Sequence, residues 1–144
     1  MNKSLLTAAL VLAGLGNTAF AAVAAGPNEI TDTLRAAGYA EVRELEYDDG
    51  LWEAEVRRAN GLWGEVSIDP ANGEVFDAAS ARPLIDLPQV LASLERAGYQ
   101  QVHDVDRDGA LWDADAYDAR GQRVELRISG YDGRIVTVRA DNED

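Results

Sequence analysis

The chain contains no cysteine and a single histidine. These absences exclude disulfide bonds, thiol nucleophiles, cysteine-based zinc or iron–sulfur sites and a His-rich metal cluster. The sequence also has no phosphate-binding loop, no dinucleotide-binding glycine motif and no G-x-S-x-G nucleophile elbow. Paired carboxylates are too common in this chain to indicate a glycosidase. The sequence therefore predicts a protein that is not an enzyme, needs no cofactor and is stabilised by apolar cores.

Positive charge is also scarce, because 13 lysines and arginines face 26 aspartates and glutamates, for a net charge of -13. Binding to nucleic acid or to an anionic membrane surface requires basic patches that neutralise phosphate. Both kinds of partner are therefore disfavoured. The acidic balance favours a cationic partner, metal ions or simple solubility, and composition alone leaves these three open.

Long hydrophobic runs are missing except near the N-terminus. Lys3 precedes the short apolar run Leu5–Leu15, and Ala19-Phe20-Ala21 matches an A-x-A cleavage site. We interpret residues 1–21 as a signal peptide, since the apolar run is too short to span a bilayer. No cysteine follows it to anchor a lipoprotein. The prediction is a periplasmic or secreted protein, cleaved near Ala21 and not inserted in a membrane.

The sequence is dominated by an internal repeat, in which residues 30–75 align with residues 90–135 at an offset of 60 positions without a gap. Roughly 14 of the 46 aligned positions are identical, which points to a duplicated fold rather than to a chance motif. We expect one repeat over residues 22–82 and a second over residues 83–144. A residue shared by both copies is expected to serve the fold, whereas a residue found in one copy is free to serve a site.

Each copy predicts a short helix followed by strands. Asp86 and Gln89 form a capping box before the second helix, and Gly38 and Gly98 stand where a left-handed C-cap is needed. Turn dipeptides such as Asp49-Gly50 then separate four strand-like runs. The predicted fold is α+β, with two tandem repeats, each a helix packed on a three- to four-stranded antiparallel β-meander. Residues 77–86 are interpreted as the connector.

Strand alternation predicts which side chains face the helix. Leu62, Val66 and Ile68 are expected on the apolar face, which leaves Trp63 pointing outward. In the second strand of each copy, the shared tryptophan, Trp52 or Trp112, is expected to point inward. The opposite sheet face, rich in charge, is expected to be open to water or a partner.

Residues on the outward faces that differ between the copies are the predicted binding site. Trp63 corresponds to Arg123, and Arg57 corresponds to Tyr117. Tryptophan, tyrosine and arginine are the residue types that form hot spots in protein interfaces. The predicted partner-binding residues are Trp63, Arg57, Tyr117, Arg123 and Arg127.

One acidic segment, residues 104–115, fits the calcium-loop template of oxygen ligands at alternate positions followed by a glycine. It makes Asp104, Asp106, Asp108 and Asp115 candidate calcium ligands. The flanking residues have strand rather than helix periodicity, so a hairpin with solvated acids is the competing interpretation. His103, at the start of the same strand, is interpreted as a surface residue.

The order of these features resembles that of PepSY domains, small modules of metallopeptidase propeptides and short secreted bacterial proteins. The resemblance rests on the Gly98-Tyr99 pair, the acidic turn around Asp108-Gly109, the hairpin at Gly121 and the ending Asp132-Gly133-Arg134-Ile135. The first copy matches it with the ending at residues 69–75, whereas the second replaces Asp69-Pro70-Ala71 by Ser-Gly-Tyr. The resemblance implies a non-catalytic module with a role in peptidase inhibition or other protein binding.

The tandem arrangement is also similar to that of beta-lactamase inhibitor proteins, in which two helix-on-sheet repeats present a joint concave face to an enzyme. The leading hypothesis is a periplasmic protein-binding module, with a peptidase as a candidate partner, that uses its outward sheet faces. The alternative is a calcium- or ligand-responsive periplasmic binding protein that uses its acidic turns.

Overall fold

The structure, a computed structural model, describes residues 25–141, so the predicted signal peptide lies outside the described residues. Within that range, each repeat consists of one helix followed by a four-stranded antiparallel sheet, which confirms the predicted α+β tandem fold. In chain order the elements are α1 (Pro27–Ala36), β1 (Glu41–Asp48), β2 (Leu51–Arg57), β3 (Trp63–Ile68), β4 (Val75–Phe76), α2 (Leu87–Arg96), β5 (Gln100–Asp108), β6 (Leu111–Tyr117), β7 (Arg123–Ser129) and β8 (Ile135–Ala140).

The helix ends follow the predicted local signals. The Asp86 side chain accepts a hydrogen bond from the backbone N–H of Gln89, and the Gln89 side chain accepts one from the N–H of Asp86. Gly38 and Gly98, with φ of +100° and +91°, stop the two helices in the left-handed conformation that glycine adopts most readily. The capping box and both C-cap predictions are confirmed.

Each sheet is a meander with its strands in sequence order, β1-β2-β3-β4 and β5-β6-β7-β8. Register shifts, the mark of a β-bulge, interrupt the first strand of both sheets. At equivalent positions in these irregular stretches, Glu44 and Asp104 have φ of 52° and 48°. The two copies thus share a backbone irregularity that turns an acidic side chain out of the regular alternation.

One face of each sheet packs on its helix. Ile30 and Leu34 of α1, and Val90 and Leu94 of α2, are fully buried against the sheets. The predicted strand parity is confirmed for Trp52 and Trp112, which pack half-buried against these cores. The buried sheet residues are Ala54, Val56, Val66 and Ile68 in the first repeat and Ala114, Ala116, Val124, Leu126 and Ile128 in the second.

Leu62 corrects the parity prediction for the third strand. Its side chain is 65% exposed instead of lying on the apolar face with Val66 and Ile68. The Asn60 side-chain oxygen accepts a hydrogen bond from the Leu62 N–H, which keeps Leu62 in the turn, and β3 begins only at Trp63.

The second face of each sheet is not open along its whole length, which corrects the prediction of two free outward faces. Where the hairpin ends of the two sheets meet, Leu51 and Phe76 pack against Ala110, Leu111 and Tyr131 in an apolar cluster between the repeats. Leu51 and Leu111 occupy equivalent positions and are 0% and 1% exposed. Burying a leucine side chain contributes roughly 1.5–3 kcal/mol, so this inter-repeat core holds the repeats together.

Polar contacts across the same boundary reinforce the inter-repeat core. The Tyr131 hydroxyl accepts a hydrogen bond from the backbone N–H of Asp77 and donates one to the Asp77 carbonyl, both at 2.9 Å. The Asp77 carboxylate in turn accepts hydrogen bonds from Tyr39 and Arg58 of the first repeat. Burial of Asp77 works to raise the pKa of its carboxyl, but the hydrogen bonds from Arg58 and Tyr39 outweigh it and hold that pKa below its usual value.

Candidate functional site

Trp63 and Arg57 form a cross-strand pair on the outer face of the first sheet. They stand at the end of β2 and β3 opposite to Leu51, away from the inter-repeat core. Trp63 is half-buried because the Arg43 guanidinium lies 3.8 Å from its ring centroid, a cation–π contact. Arg43 is itself held by two hydrogen bonds to Glu55. The indole is therefore fixed in place while part of its surface remains accessible.

Tyr117 and Arg123 are the equivalent pair on the second sheet. Arg123 contacts Asp115 at 3.3 Å and Asp141 at 2.8 Å, and the hydrogen bond to Asp115 raises the pKa of its guanidinium. The structure therefore divides four of the predicted contact residues into two pairs on different sheets.

Arg127 has a different environment from the other predicted contact residues. Its side chain is only 15% exposed and lies 3.1 Å from Glu53 of the first repeat and 3.4 Å from Asp113 of its own sheet. Burial works against the charge of Arg127, but the hydrogen bond to Glu53 and the charge of Asp113 outweigh it and hold the pKa of the guanidinium above its ordinary value. Burial also raises the pKa of Asp113. Arg127 thus joins the repeats.

A groove of about 520 Å³, here called the first groove, lies over the outer face of the first sheet beside the inter-repeat core. The turn of the β5–β6 hairpin, residues 108–110, forms one of its walls. Six carboxylates line it, of which Glu55 binds Arg43 and Glu53 binds Arg127. The carboxylates are those of Glu44, Glu46, Glu53, Glu55, Glu65 and Asp108.

A second groove of about 170 Å³ lies over the outer face of the second sheet, where Asp49 of the first repeat forms part of the wall. Two arginines of the protein itself, Arg127 and Arg139, place their guanidinium groups along this groove. Arg127 contacts Asp113, and Arg139 binds Glu125 as well as Asp49, the latter at 2.6 Å. The second groove is therefore smaller, and its acidic charge is partly neutralised by its own arginines.

The two grooves are built from equivalent positions of the repeat. The 60-residue offset pairs Glu44 with Asp104, Glu53 with Asp113, Glu55 with Asp115 and Glu65 with Glu125, and each of these residues lines its groove. The copies differ at two decisive positions, since Arg127 corresponds to Ser67 and Arg139 to Ala79. The first groove thus retains the acids of the second without its two arginines.

Of the four predicted calcium ligands, Asp104 and Asp115 lie close together, whereas Asp106 and Asp108 lie outside that group. Asp106 lies opposite Asp113 in the β5–β6 ladder, and Asp108 lies at its end and lines the first groove. Among residues 25–141, the acids and histidines at metal-ligand spacing are Asp104, Asp115 and His103, whose ligand atoms lie within 4.8 Å of one another. The flanks of the acidic segment are strands, as their periodicity predicted.

The first groove was missed in the sequence because its walls come from both repeats. Alternation placed Glu53, Glu55 and Glu65 on the outward face, but it did not indicate that the β5–β6 turn would enclose them. A usable signal was present in the repeat alignment, in which Ser67 is aligned with Arg127 just as Trp63 is aligned with Arg123.

Comparison with known proteins agrees with this architecture. The sequence profile of the family described as peptidase propeptide and YPEB domain matches residues 5–79 and 84–139, once for each repeat. The chain belongs to this family. The resemblance to PepSY domains and the tandem organisation are thereby confirmed. A search of curated proteins gives no match.

Membership of the peptidase propeptide and YPEB domain family indicates a propeptide-like or regulatory module, a class that is generally non-catalytic and occurs in secreted or periplasmic proteins. Over residues 25–141, no helix is long and apolar enough to cross a membrane. The question that remains is which surface this member uses.

Proposed function

We propose that this protein is a non-catalytic binding module that regulates a protein partner, with a peptidase as the candidate class, after export to the periplasm or the medium. Recognition takes place on the outer face of the first sheet. The observation that carries the proposal is the contrast between two equivalent faces. The second has its groove narrowed by its own arginines, whereas the first keeps a larger groove on the same sheet face as the half-buried Trp63.

Trp63 is the proposed anchor of the contact. Its counterpart is Arg123, so the fold does not require an indole at this position. Stacking by Arg43 holds the ring without covering it completely, which reduces the entropy lost when a partner packs on it. A buried tryptophan anchor in an interface typically accounts for about 2 kcal/mol or more of binding free energy.

The test uses residues 22–144 and a thermolysin-like metallopeptidase from the same source, with inhibition constant and dissociation constant as the measurements. We expect Trp63→Ala to weaken binding at least about tenfold, in line with the loss of an anchor, and to change the melting temperature little.

Leu62→Ala is the matched control, because Leu62 is the neighbouring residue, is apolar and is more exposed than Trp63. It is expected to leave affinity unchanged. Equal affinity for the wild type and Trp63→Ala, at unchanged stability, would show that the partner uses another surface. Absence of binding to any secreted peptidase of the source would remove the peptidase from the proposal.

A further inference from the structure

We propose that the first groove binds an arginine side chain of the partner, in the place that Arg127 fills in the second groove. This inference rests on the proposed function and specifies the chemistry that the partner presents. The occupant is a guanidinium group supplied in trans by a cationic peptide segment.

The second groove is an internal precedent for this occupant. Its acids at the shared positions bind guanidinium groups, since Arg127 lies 3.4 Å from Asp113 and Arg139 binds Glu125. The first repeat preserves an acid at each of these positions, Glu53 and Glu65. It therefore keeps the acceptors of a guanidinium site and has Ser67 and Ala79 where the second repeat has Arg127 and Arg139. Among residues 25–141, the one guanidinium on these two acids is that of Arg127 on Glu53.

The charge of the first groove is left largely uncompensated. Glu53 contacts Arg127 from the side of the second repeat, and Glu55 binds Arg43. Glu44, Glu46 and Glu65 also line the groove, and none of them has a cation within ion-pair distance among residues 25–141. A guanidinium that enters would meet several carboxylate acceptors, with which arginine forms charge-assisted hydrogen bonds.

The size of the first groove agrees with an occupant larger than an ion. Its volume of about 520 Å³ is roughly three times the 170 Å³ left in the second groove. Grooves of about 300–1,000 Å³ are typical of sites for small ligands and side-chain segments.

The spacing of the acids favours a guanidinium over a metal ion. Within the described part of the chain, the residues that lie at metal-ligand spacing are His103, Asp104 and Asp115. Among these described residues, the acids of the first groove do not form such a cluster. Carboxylates distributed along a wall suit a planar group with five N–H donors, whereas a calcium ion needs its ligands within a single coordination sphere.

The experiment measures binding of an acetylated, amidated peptide Gly-Arg-Gly-Arg-Gly by calorimetry at ~0.15 M salt, where charges beyond about 8 Å are screened. The same peptide with citrulline in place of arginine is the neutral control. We expect binding of the arginine peptide and at least about tenfold weaker binding of the citrulline peptide, as expected for loss of a charge-assisted contact.

Ser67→Arg is the decisive variant, because it gives the first repeat the residue that fills the second groove. Ala119→Arg makes the same charge change in an exposed turn outside both grooves. We expect Ser67→Arg to weaken the peptide at least about tenfold and Ala119→Arg less than about twofold, the small effect of a distant, screened charge.

If the two arginine variants weaken peptide binding equally, the inference is overturned, since the general acidity of the protein would then account for the binding. Tight citrulline-peptide binding, or displacement of the peptide by stoichiometric calcium, would also overturn it. If Ser67→Arg does not fold, the double variant Glu46→Gln with Glu65→Gln replaces it in the test. Unchanged peptide affinity in this double variant would also refute the site. A peptidase whose affinity depends on Trp63 but not on position 67 leaves the proposed function intact and excludes the arginine site.

Discussion

Replacing Tyr131 by phenylalanine tests how the two repeats are joined. The hydroxyl of Tyr131 makes two hydrogen bonds of 2.9 Å to the backbone of Asp77, in the other repeat, and its side chain is buried. Phenylalanine keeps the ring, which stacks on Phe76 with centroids 6.0 Å apart. The substitution therefore removes only the polar link. It leaves one buried N–H and one buried carbonyl without that partner, while the exposed Ser80 hydroxyl, 3.2 Å from the Tyr131 hydroxyl, can bind water instead.

The expected loss of stability follows from those two groups. A typical hydrogen bond contributes about 1 kcal/mol net, and a buried group left unpaired costs about 1–3 kcal/mol. We expect Tyr131→Phe to lower the free energy of unfolding by roughly 2–4 kcal/mol. For a protein of this size each kcal/mol corresponds to roughly 3–5 °C, so the melting temperature should fall by at least about 6 °C.

Urea unfolding, followed in parallel by tryptophan fluorescence and far-UV circular dichroism, is the assay. Trp52 and Trp112 report on the cores of the two repeats, so coincident transitions indicate that the repeats unfold together. Tyr117→Phe is the matched control, because the structure gives no hydrogen bond to the Tyr117 hydroxyl within residues 25–141. A loss below about 0.5 kcal/mol in Tyr131→Phe, or one equal to that of Tyr117→Phe, would refute the reasoning about unpaired buried groups.

Three further predictions use contrasts within the molecule. In urea unfolding, Trp52→Phe should lower the free energy of unfolding by roughly 1 kcal/mol more than Trp112→Phe does. The reason is that the Trp52 indole donates a hydrogen bond to a backbone carbonyl at 3.0 Å, whereas the buried Trp112 N–H has no acceptor within residues 25–141. Equal losses would contradict this. The pKa of Asp77 is depressed on folding, so the stability that it provides is complete above about pH 5 and is lost as the pH falls below about 4. A pH series of melting temperatures checks this, and Asp77→Asn should flatten the acid limb. Arg127→Met should lower the free energy of unfolding by roughly 1–3 kcal/mol at pH 7. The loss should be smaller near pH 4, because burial raises the pKa of Asp113, the ion-pair partner of Arg127, and Asp113 then takes up a proton. A loss independent of pH would refute the ion pair.

Most of the fold was predictable because its signals are local. The 60-residue repeat, the Asp86 capping box, the left-handed glycines and the alternating strands each depend on residues close in sequence. The structure agrees with all of them except for the alternation at Leu62. Leu62 was assigned wrongly because a side-chain hydrogen bond from a turn residue, Asn60, delays the start of β3, and alternation counted from an assumed strand start cannot detect such a delay.

The contact between the repeats could not be derived from alternation, because it depends on how two sheets meet in space. Leu51 and Leu111 fall on the face that alternation makes polar, yet they are buried together. A clue was available, since both copies keep leucine at this position and shared residues were expected to serve the fold. The grooves depend on the same contact and therefore could not be predicted without it.

The inter-repeat core brings Leu51 and Leu111, the same position of two copies, into one apolar cluster. A surface that pairs with its own equivalent is the geometry of a twofold-symmetric homodimer. In a homodimer any substitution appears twice, so both binding faces must change together. In a single chain that carries both halves, one equivalent position can hold a different residue in each repeat, as it does with Ser67 in the first and Arg127 in the second. Covalent linkage thus removes the symmetry constraint, and one face can become structural while the other stays free to diversify.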